Sequence, residues 1–247
     1  MADPKLQEYM DETVTSFSEA QNEIADAMLR MKAQLHDAAN VQQIQLLALR
    51  RYLRMGGRAV ASAWPWSTEQ RDVNKKDSDR MNAEAAKVVA NFATQNPGLK
   101  LDRTGIRNLA KQIELWCGNE SVHLAAGNLL PRVLQELAKA DYPEFPTDSA
   151  PINQFKKFLK DSKVDPEPTS AAPGTSDHGQ DRAVDFIVKK DGKTVASTSK
   201  AGIKKEWENT GYDKALKKAT EGTEMDGPLP NPKEPWHYWL KKAKKAK

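Results

Sequence analysis

Ser176-Asp177-His178-Gly179-Gln180-Asp181-Arg182-Ala183-Val184-Asp185, followed later by Glu234-Pro235-Trp236-His237, is the stretch against which the rest of the chain is read. Val184 to Val188 is β-branched or aromatic apart from Asp185, the composition of a buried strand. A carboxylate inside such a run is costly unless it is paired or binds metal. His178 precedes it by seven residues across a turn that Gly179 permits, and His237 returns 52 residues later (237 − 185). Two imidazoles and one carboxylate leave a fourth tetrahedral position for water, which is the open donor set of a catalytic zinc. Glu234 lies three residues before His237, with Pro235 keeping the chain out of a helix. That spacing suits a general base placed beside the metal without ligating it. The plainer alternative is a structural His–Asp pair. Against it, two of only four histidines in the chain fall in these motifs.

The surrounding residues carry a resemblance. Ala172-Pro173-Gly174-Thr175-Ser176-Asp177-His178, the Ala183-x-Asp185 ending, and Gly227-Pro228-Leu229 ahead of Glu234-Pro235-Trp236-His237 resemble the VanY-like D-Ala-D-Ala carboxypeptidases. That zinc peptidase family carries Ser-x-His-x-x-Gly-x-Ala-x-Asp and then Glu-Pro-Trp-His. The resemblance spans roughly residues 172 to 240 and implies Zn2+ on His178, Asp185 and His237, with Glu234 as the catalytic base. It implies peptidoglycan peptides as substrate, cut by carboxypeptidase or endopeptidase action. Ser176, Asp181 and Trp236 are the candidates to support the ligands or meet substrate. Two departures stand out. Asp181 occupies the family glycine, and the family's upstream substrate-holding arginine has no clean match, Arg132 being the nearest candidate and a helix-surface residue its plainer role. The competing expectation is a structural or interaction component of a virion or secretion assembly that keeps a degenerate peptidase-like domain.

Composition sets the bounds. The chain has 247 residues, 38% of them hydrophobic, and a mean hydropathy of −0.74, which is polar for a single compact globule and favours an extended helical part beside a smaller core. The net charge is +4, but Lys241, Lys242, Lys244, Lys245 and Lys247 supply five charges, so the remainder stands at 4 − 5 = −1. The basic character belongs to a tail, either a solvated end or an attraction to anionic wall polymer or membrane surface, and not to a nucleic-acid face. Cys117 is the only cysteine and reads as a buried structural thiol. No stretch reaches the ~20 apolar residues of a membrane span. Met1-Ala2-Asp3-Pro4-Lys5 does not open a signal peptide, so the expectation is synthesis in the cytoplasm and access to the wall by lysis, a virion or a contractile apparatus.

The expected fold class is α+β, a helical N-terminal region followed by a small antiparallel-sheet zinc peptidase domain. Residues 1–57 are expected to form one long helix, because Met10, Val14, Phe17, Gln21, Ile24, Met28, Met31, Leu35 and Ala38 step by four and three. Such a heptad seam serves oligomerisation or attachment to a larger assembly, or else folds back on the chain's own helices. Gly56-Gly57 ends that helix, and Ala63-Trp64-Pro65-Trp66-Ser67 is an apolar connector that packs or stacks on sugar. Residues 58–141 read as a helical module: a helix over 68–95, a second capped by Asp102, and a last one from Pro131 to Ala140. Residues 142–151, with Pro143, Pro146 and Pro151, read as a linker. Residues 152–247 form the zinc domain with its basic tail. It opens on a short helix around Phe155 and continues through a Pro/Ser/Thr-rich loop that delivers His178 and is a candidate substrate gate. A hairpin at Asp191-Gly192, helices over 199–209 and around Leu216, and a final strand from His237 complete it.

Overall fold

The computed structural model describes residues 1–17, 21–55, 68–104, 109–176, 178, 182–230 and 233–241, with the side chains of 21–23, 68–78 and 109 left aside. The expectations for Gly56-Gly57, Ala63 to Ser67, Asp181 and the tail beyond Lys241 lie outside the described residues. The fold is α+β. The chain forms two units, each built from two separate segments: Met1–Ser67 with Asn108–Gly179, and Thr68–Arg107 with Gln180–Lys247. This differs from the sequential domains expected at 1–57, 58–141 and 152–247. Periodicity marks a helix's apolar face but not the core that receives it.

The first unit is helical. The expected single helix over 5–55 is three: α1 (Pro4–Thr15), α2 (Gln21–Gln34) and α3 (Ala38–Met55). Asp3 caps α1 by accepting from the Leu6 amide at 2.8 Å, and Pro4 sits at the first turn where its missing N–H costs nothing. The seam residues Met10, Phe17, Ile24, Met28 and Met31 are buried in the unit's own core. This is the folded-back arrangement, one of the two expected for the seam. Gln42 clamps the reversal, donating to the Asp3 carbonyl at 2.7 Å and accepting from the Asp3 amide at 2.9 Å. The core is completed by α5 (Leu109–Cys117), α6 (Glu120–Leu137) and α7 (Ser149–Asp161). Pro131 lies inside α6 and does not start it. Helix α7 packs Phe155 on Tyr9 with ring centroids 5.4 Å apart, so it belongs to this helical core and not to the sheet domain. Cys117 is buried, and burial pushes its thiol up to about 11, which fits an inert structural residue. His123 spends Nε2 on the Cys117 carbonyl at 2.6 Å.

The second unit lays helix α4 (Thr68–Gln95) against an antiparallel sheet. Strand β1 (Leu99–Thr104) stands where a helix capped by Asp102 was expected. Leu99 and Leu101 alternate with Lys100 and Asp102, a two-residue period that outweighs the capping signal. Asp102 instead takes Lys189 at 2.7 Å from the neighbouring strand. The central strand β2 (Ala183–Lys190) pairs along one edge with β1. Along its other edge lie β7 (His237–Leu240) and β3 (Lys193–Ala196). Asp191 and Gly192, at φ 51° and 76°, make the tight turn from β2 to β3, as the Asp-Gly pair predicts. Val184, Phe186 and Val188 point into a core with Tyr238, Leu240, Met81, Val88 and Phe92. The helix expected at 199–209 is a 3-10 turn (Lys200–Gly202) running into a π-helical segment (Ile203–Glu208), which seats Trp207 in that core and ties its Nε1 to the Ser197 carbonyl at 2.8 Å. Helix α8 (Tyr212–Ala219) and the short strands β4 (Met225–Asp226), β5 (Leu229–Pro230) and β6 (Lys233–Glu234) follow.

Glu84 on α4 supplies a testable contribution to this unit. It is 6% exposed, takes the Lys87 ammonium at 2.5 Å and accepts the Glu224 amide at 2.8 Å, just ahead of β4. The hydrogen bond from Lys87, then that from Glu224, holds its carboxyl below the ordinary value of 4.5. A folded value below the unfolded one means stability that is present above pH 4.5 and lost as pH falls from there through the folded value. Glu84→Gln should therefore lower stability at neutral pH by about 1–2 kcal/mol and flatten the acid limb. Denaturant melts across that window check it, and an unchanged acid limb would assign the acid loss to other groups.

Candidate metal centre

The centre is built on strand register. Asp185 sits in β2 directly opposite Thr104 of β1 on one side and His237 of β7 on the other. Directly opposed residues in an antiparallel pair share a face. Val184 and Phe186 face the hydrophobic core, so Asp185 and His237 are on the other side of the sheet. The costly carboxylate of the sequence is thus not in the apolar core, although it is only 4% exposed. His237 Nδ1 and Asp185 Oδ1 are 3.0 Å apart. His178 comes from a single helical-type position at the end of the loop before β2 and is 7% exposed. One ligand atom each from His178, Asp185 and His237 lies within 4.8 Å of the others, a group able to hold a metal ion.

The donor set fits such an ion. Zinc bonds to imidazole nitrogen and carboxylate oxygen are about 2.0–2.2 Å, which puts ligand atoms about 3.4 Å apart in a tetrahedron. The 3.0 Å separation of His237 and Asp185 is close to that spacing. A buried carboxylate and imidazole this close must share either a proton or a cation, because two desolvated groups without one would be penalised.

The other expected residues are placed less uniformly. Glu234 ends β6, three residues before His237, and its carboxylate takes the Lys200 ammonium at 3.3 Å with 19% of its side chain exposed. Trp236 is not a substrate-facing ring. It is 3% exposed, packs 6.1 Å from Trp207, and its carbonyl accepts the Phe186 amide at 3.0 Å. It therefore anchors the segment that presents His237. Arg132 lies exposed on α6 and donates to the Lys163 carbonyl at 2.6 Å, the helix-surface role. Ser176 is half-buried on the loop leading to His178.

That loop is not a free gate. Arg50 Nε donates to the Ser162 carbonyl at 2.7 Å, Asn128 to the Asp165 carbonyl at 2.8 Å, and Tyr52 to the Pro173 carbonyl at 3.2 Å. The Gly174 amide donates to buried Gln112 at 2.7 Å, and the Thr169 amide to Ser121 Oγ at 2.9 Å. Its Pro/Ser/Thr/Gly composition suggested mobility, but five side chains from α3, α5 and α6 hold its backbone. Sequence reasoning also missed Lys200, the partner of Glu234, and Thr104, whose Oγ1 reaches the Asp185 carbonyl at 3.4 Å. The alternation over Leu99–Thr104 could have revealed the second; nothing in the sequence singled out Lys200 among its neighbours.

No protein-family model matches the chain, and no curated protein or solved structure matches it. No helix among the described residues is long and apolar enough to cross a membrane.

Proposed function

We propose that the chain is a zinc-dependent peptidase acting on amide bonds of bacterial peptidoglycan peptides. The observation that carries this reading is the convergence of buried His178, Asp185 and His237 within 4.8 Å. These are the residues that the two motifs resembling VanY-like peptidases single out as ligands, and they approach from a loop and two adjacent strands. A zinc ion, when bound, supplies a Lewis acid and brings the pKa of a coordinated water to ~7. The chain's own residues do the rest. Asp185 and His237 are fixed by β2–β7 register, so their geometry is set before substrate arrives. Glu234, steered by Lys200, is the proposed general base: it accepts the proton of the attacking water and returns it to the leaving amine.

A second reading has one observation in its favour. Arg132, the candidate to hold a substrate carboxylate, is engaged on Lys163. This is compatible with a metal-holding binding module that does not turn over. Mass analysis of muropeptides after incubation with zinc-loaded protein separates the two: released D-amino acid or a cleaved stem peptide is expected from the enzyme and none from the module.

The metal itself is tested first. Purified protein never exposed to chelator should carry about one zinc per chain, the occupancy of a single three-ligand site. His178→Ala or His237→Ala should each remove most of it. Protein that contains none and takes up none on dialysis against zinc would overturn the ligand assignment.

A further inference from the structure

The face of the sheet that carries Asp185 and His237 continues beyond them. Along β7 the next residue on that face is Trp239, and strand register sets Asp226 of β4 directly opposite it. The reverse side agrees, since Met225, Tyr238 and Leu240 lie in the hydrophobic core. Trp239 is half-buried, and its ring stands 6.0 Å from the His237 imidazole, centroid to centroid. Asp226 is exposed on the last strand of the sheet. Its Oδ1 accepts the Gly227 amide at 2.9 Å, which leaves its charge unbalanced. The lysines of this face are committed elsewhere among the described residues. Lys189 and Lys100 meet Asp102 at 2.7 and 3.4 Å, and Lys241 donates to the Thr223 carbonyl at 3.1 Å. An aromatic ring and an acid without a cation therefore stand side by side, one of them against a metal ligand.

We propose that Trp239 and Asp226 form a subsite for a primary ammonium on the substrate, which in a peptidoglycan stem peptide is the free side-chain amine of the diamino acid. The proposal rests on the peptidase reading for the identity of the substrate; the recognition of a cation follows from the two side chains. An indole face attracts a cation that lies within about 6 Å of its centroid. Directly opposed strand residues have Cβ atoms about 4.5–5.5 Å apart, so one ammonium resting on the ring can also reach the carboxylate. A neutral apolar group would use the ring and gain nothing from Asp226, and an anion would be repelled by it. Contact between Trp239 and His237 places the subsite next to the bond being cut, so the cation belongs to a residue close to that bond in the peptide. Trp239, Asp226 and His237 all belong to the second unit, so the sheet alone sets their spacing. Acylation in a cross-bridge removes the charge of the amine, and the subsite thus favours stems whose amine is free.

Two synthetic stem pentapeptides, alike except that the amine of the third residue is free in one and acetylated in the other, test this by calorimetric titration. Zinc-loaded full-length protein carrying Glu234→Gln is used, so that binding is read without turnover. The free amine is expected to bind about tenfold more tightly at low salt, the combined effect of a cation–π contact and an exposed ion pair. That ratio should shrink as salt is raised. Asp226→Asn, added to the same protein, keeps an oxygen for the Gly227 amide and removes the charge, so the ratio should fall to about threefold with zinc content unchanged. Trp239→Leu, which removes the ring, should lower the ratio in the same way. Cleavage of the peptides by the wild-type chain tests the peptidase reading separately. A binding preference without cleavage would keep the subsite and remove the enzyme, and cleavage with equal binding of the two peptides would do the reverse. A ratio near one, no binding of either peptide, a ratio unmoved by Asp226→Asn, or zinc lost together with the ratio in that variant overturns the subsite.

Discussion

Glu234→Gln is expected to lower turnover of a peptidoglycan peptide by about 10²- to 10⁴-fold, the usual cost of losing a general base, while zinc content stays at the wild-type level. The substitution keeps the side chain's size and its reach toward Lys200 but removes its basicity. Glu234 ends β6, and its carboxylate is spent on Lys200, so metal retention does not depend on it. Asp185→Asn should do the opposite. Its carboxylate lies 3.0 Å from His237 Nδ1 in a nearly closed environment, and replacing it by an amide removes the charge that offsets a divalent ion. Zinc retention should fall there, with activity falling in consequence. Metal analysis and muropeptide turnover on the two variants decide the roles. If Glu234→Gln lost the metal and Asp185→Asn kept it, the assignment would be reversed; unchanged turnover in Glu234→Gln would move the base elsewhere, with Asp181 the first alternative.

The second large effect is expected at a glycine. Gly227 has φ 145°, a conformation that side-chain-bearing residues avoid. A Cβ there would stand 2.6 Å from Tyr238 Cδ1 and 2.9 Å from the His237 carbonyl oxygen. Tyr238 is fully buried and cannot swing aside, so the overlap must be relieved by moving β7. Gly227→Ala should destabilise the chain by about 2–4 kcal/mol, roughly 5–15 °C in Tm. It should also weaken zinc binding, because His237 rides on the displaced strand. Gly222→Ala is the control: φ is +78°, but nothing lies within 4 Å of the added Cβ. It should cost about 1–2 kcal/mol of backbone strain and leave zinc binding intact. Equal effects of the two alanines on metal affinity would show that contact with Tyr238 and His237 does not position the ligand.

Much of the local structure was legible. The helix over 68–95, its stop at Asn96-Pro97-Gly98, the Asp191-Gly192 hairpin and the strand from His237 to Leu240 follow from periodicity and turn chemistry, and the structure has them at those positions. So was the convergence of His178, Asp185 and His237, because motif order carries information that no single residue does. Long-range organisation was not legible. Met10, Ile24 and Met31 keep the same step whether their helix is continuous or broken twice, since three helices around one core each need an apolar stripe. Phe155 and Leu159 show that α7 is amphipathic, but not that Tyr9 receives it. Asp102 satisfied the rules for a helix cap and lost to the alternation around it, a contest settled by pairing with β2. The anchoring of the loop before His178 rests on side chains such as Tyr52 and Gln112 meeting backbone groups 121 and 62 positions away, respectively, and composition is blind to that.

The division of each unit into two stretches of chain has a consequence for synthesis. Helix α4 and strand β1 leave the ribosome before their partner β2, which starts 79 residues after β1 ends (183 − 104). At ~5–20 residues per second that gap lasts roughly 4–16 s. During it β1 has an unmatched hydrogen-bonding edge and α4 an uncovered face of Met81, Val88 and Phe92, while every segment of the helical unit has emerged by Gly179. The nascent chain therefore closes its helical unit first, around a looped-out segment that waits for the last third of the message. An expression fragment that begins at residue 152 inherits the same problem permanently, because β2 would then lack β1 along its edge from Asp185 to Lys190.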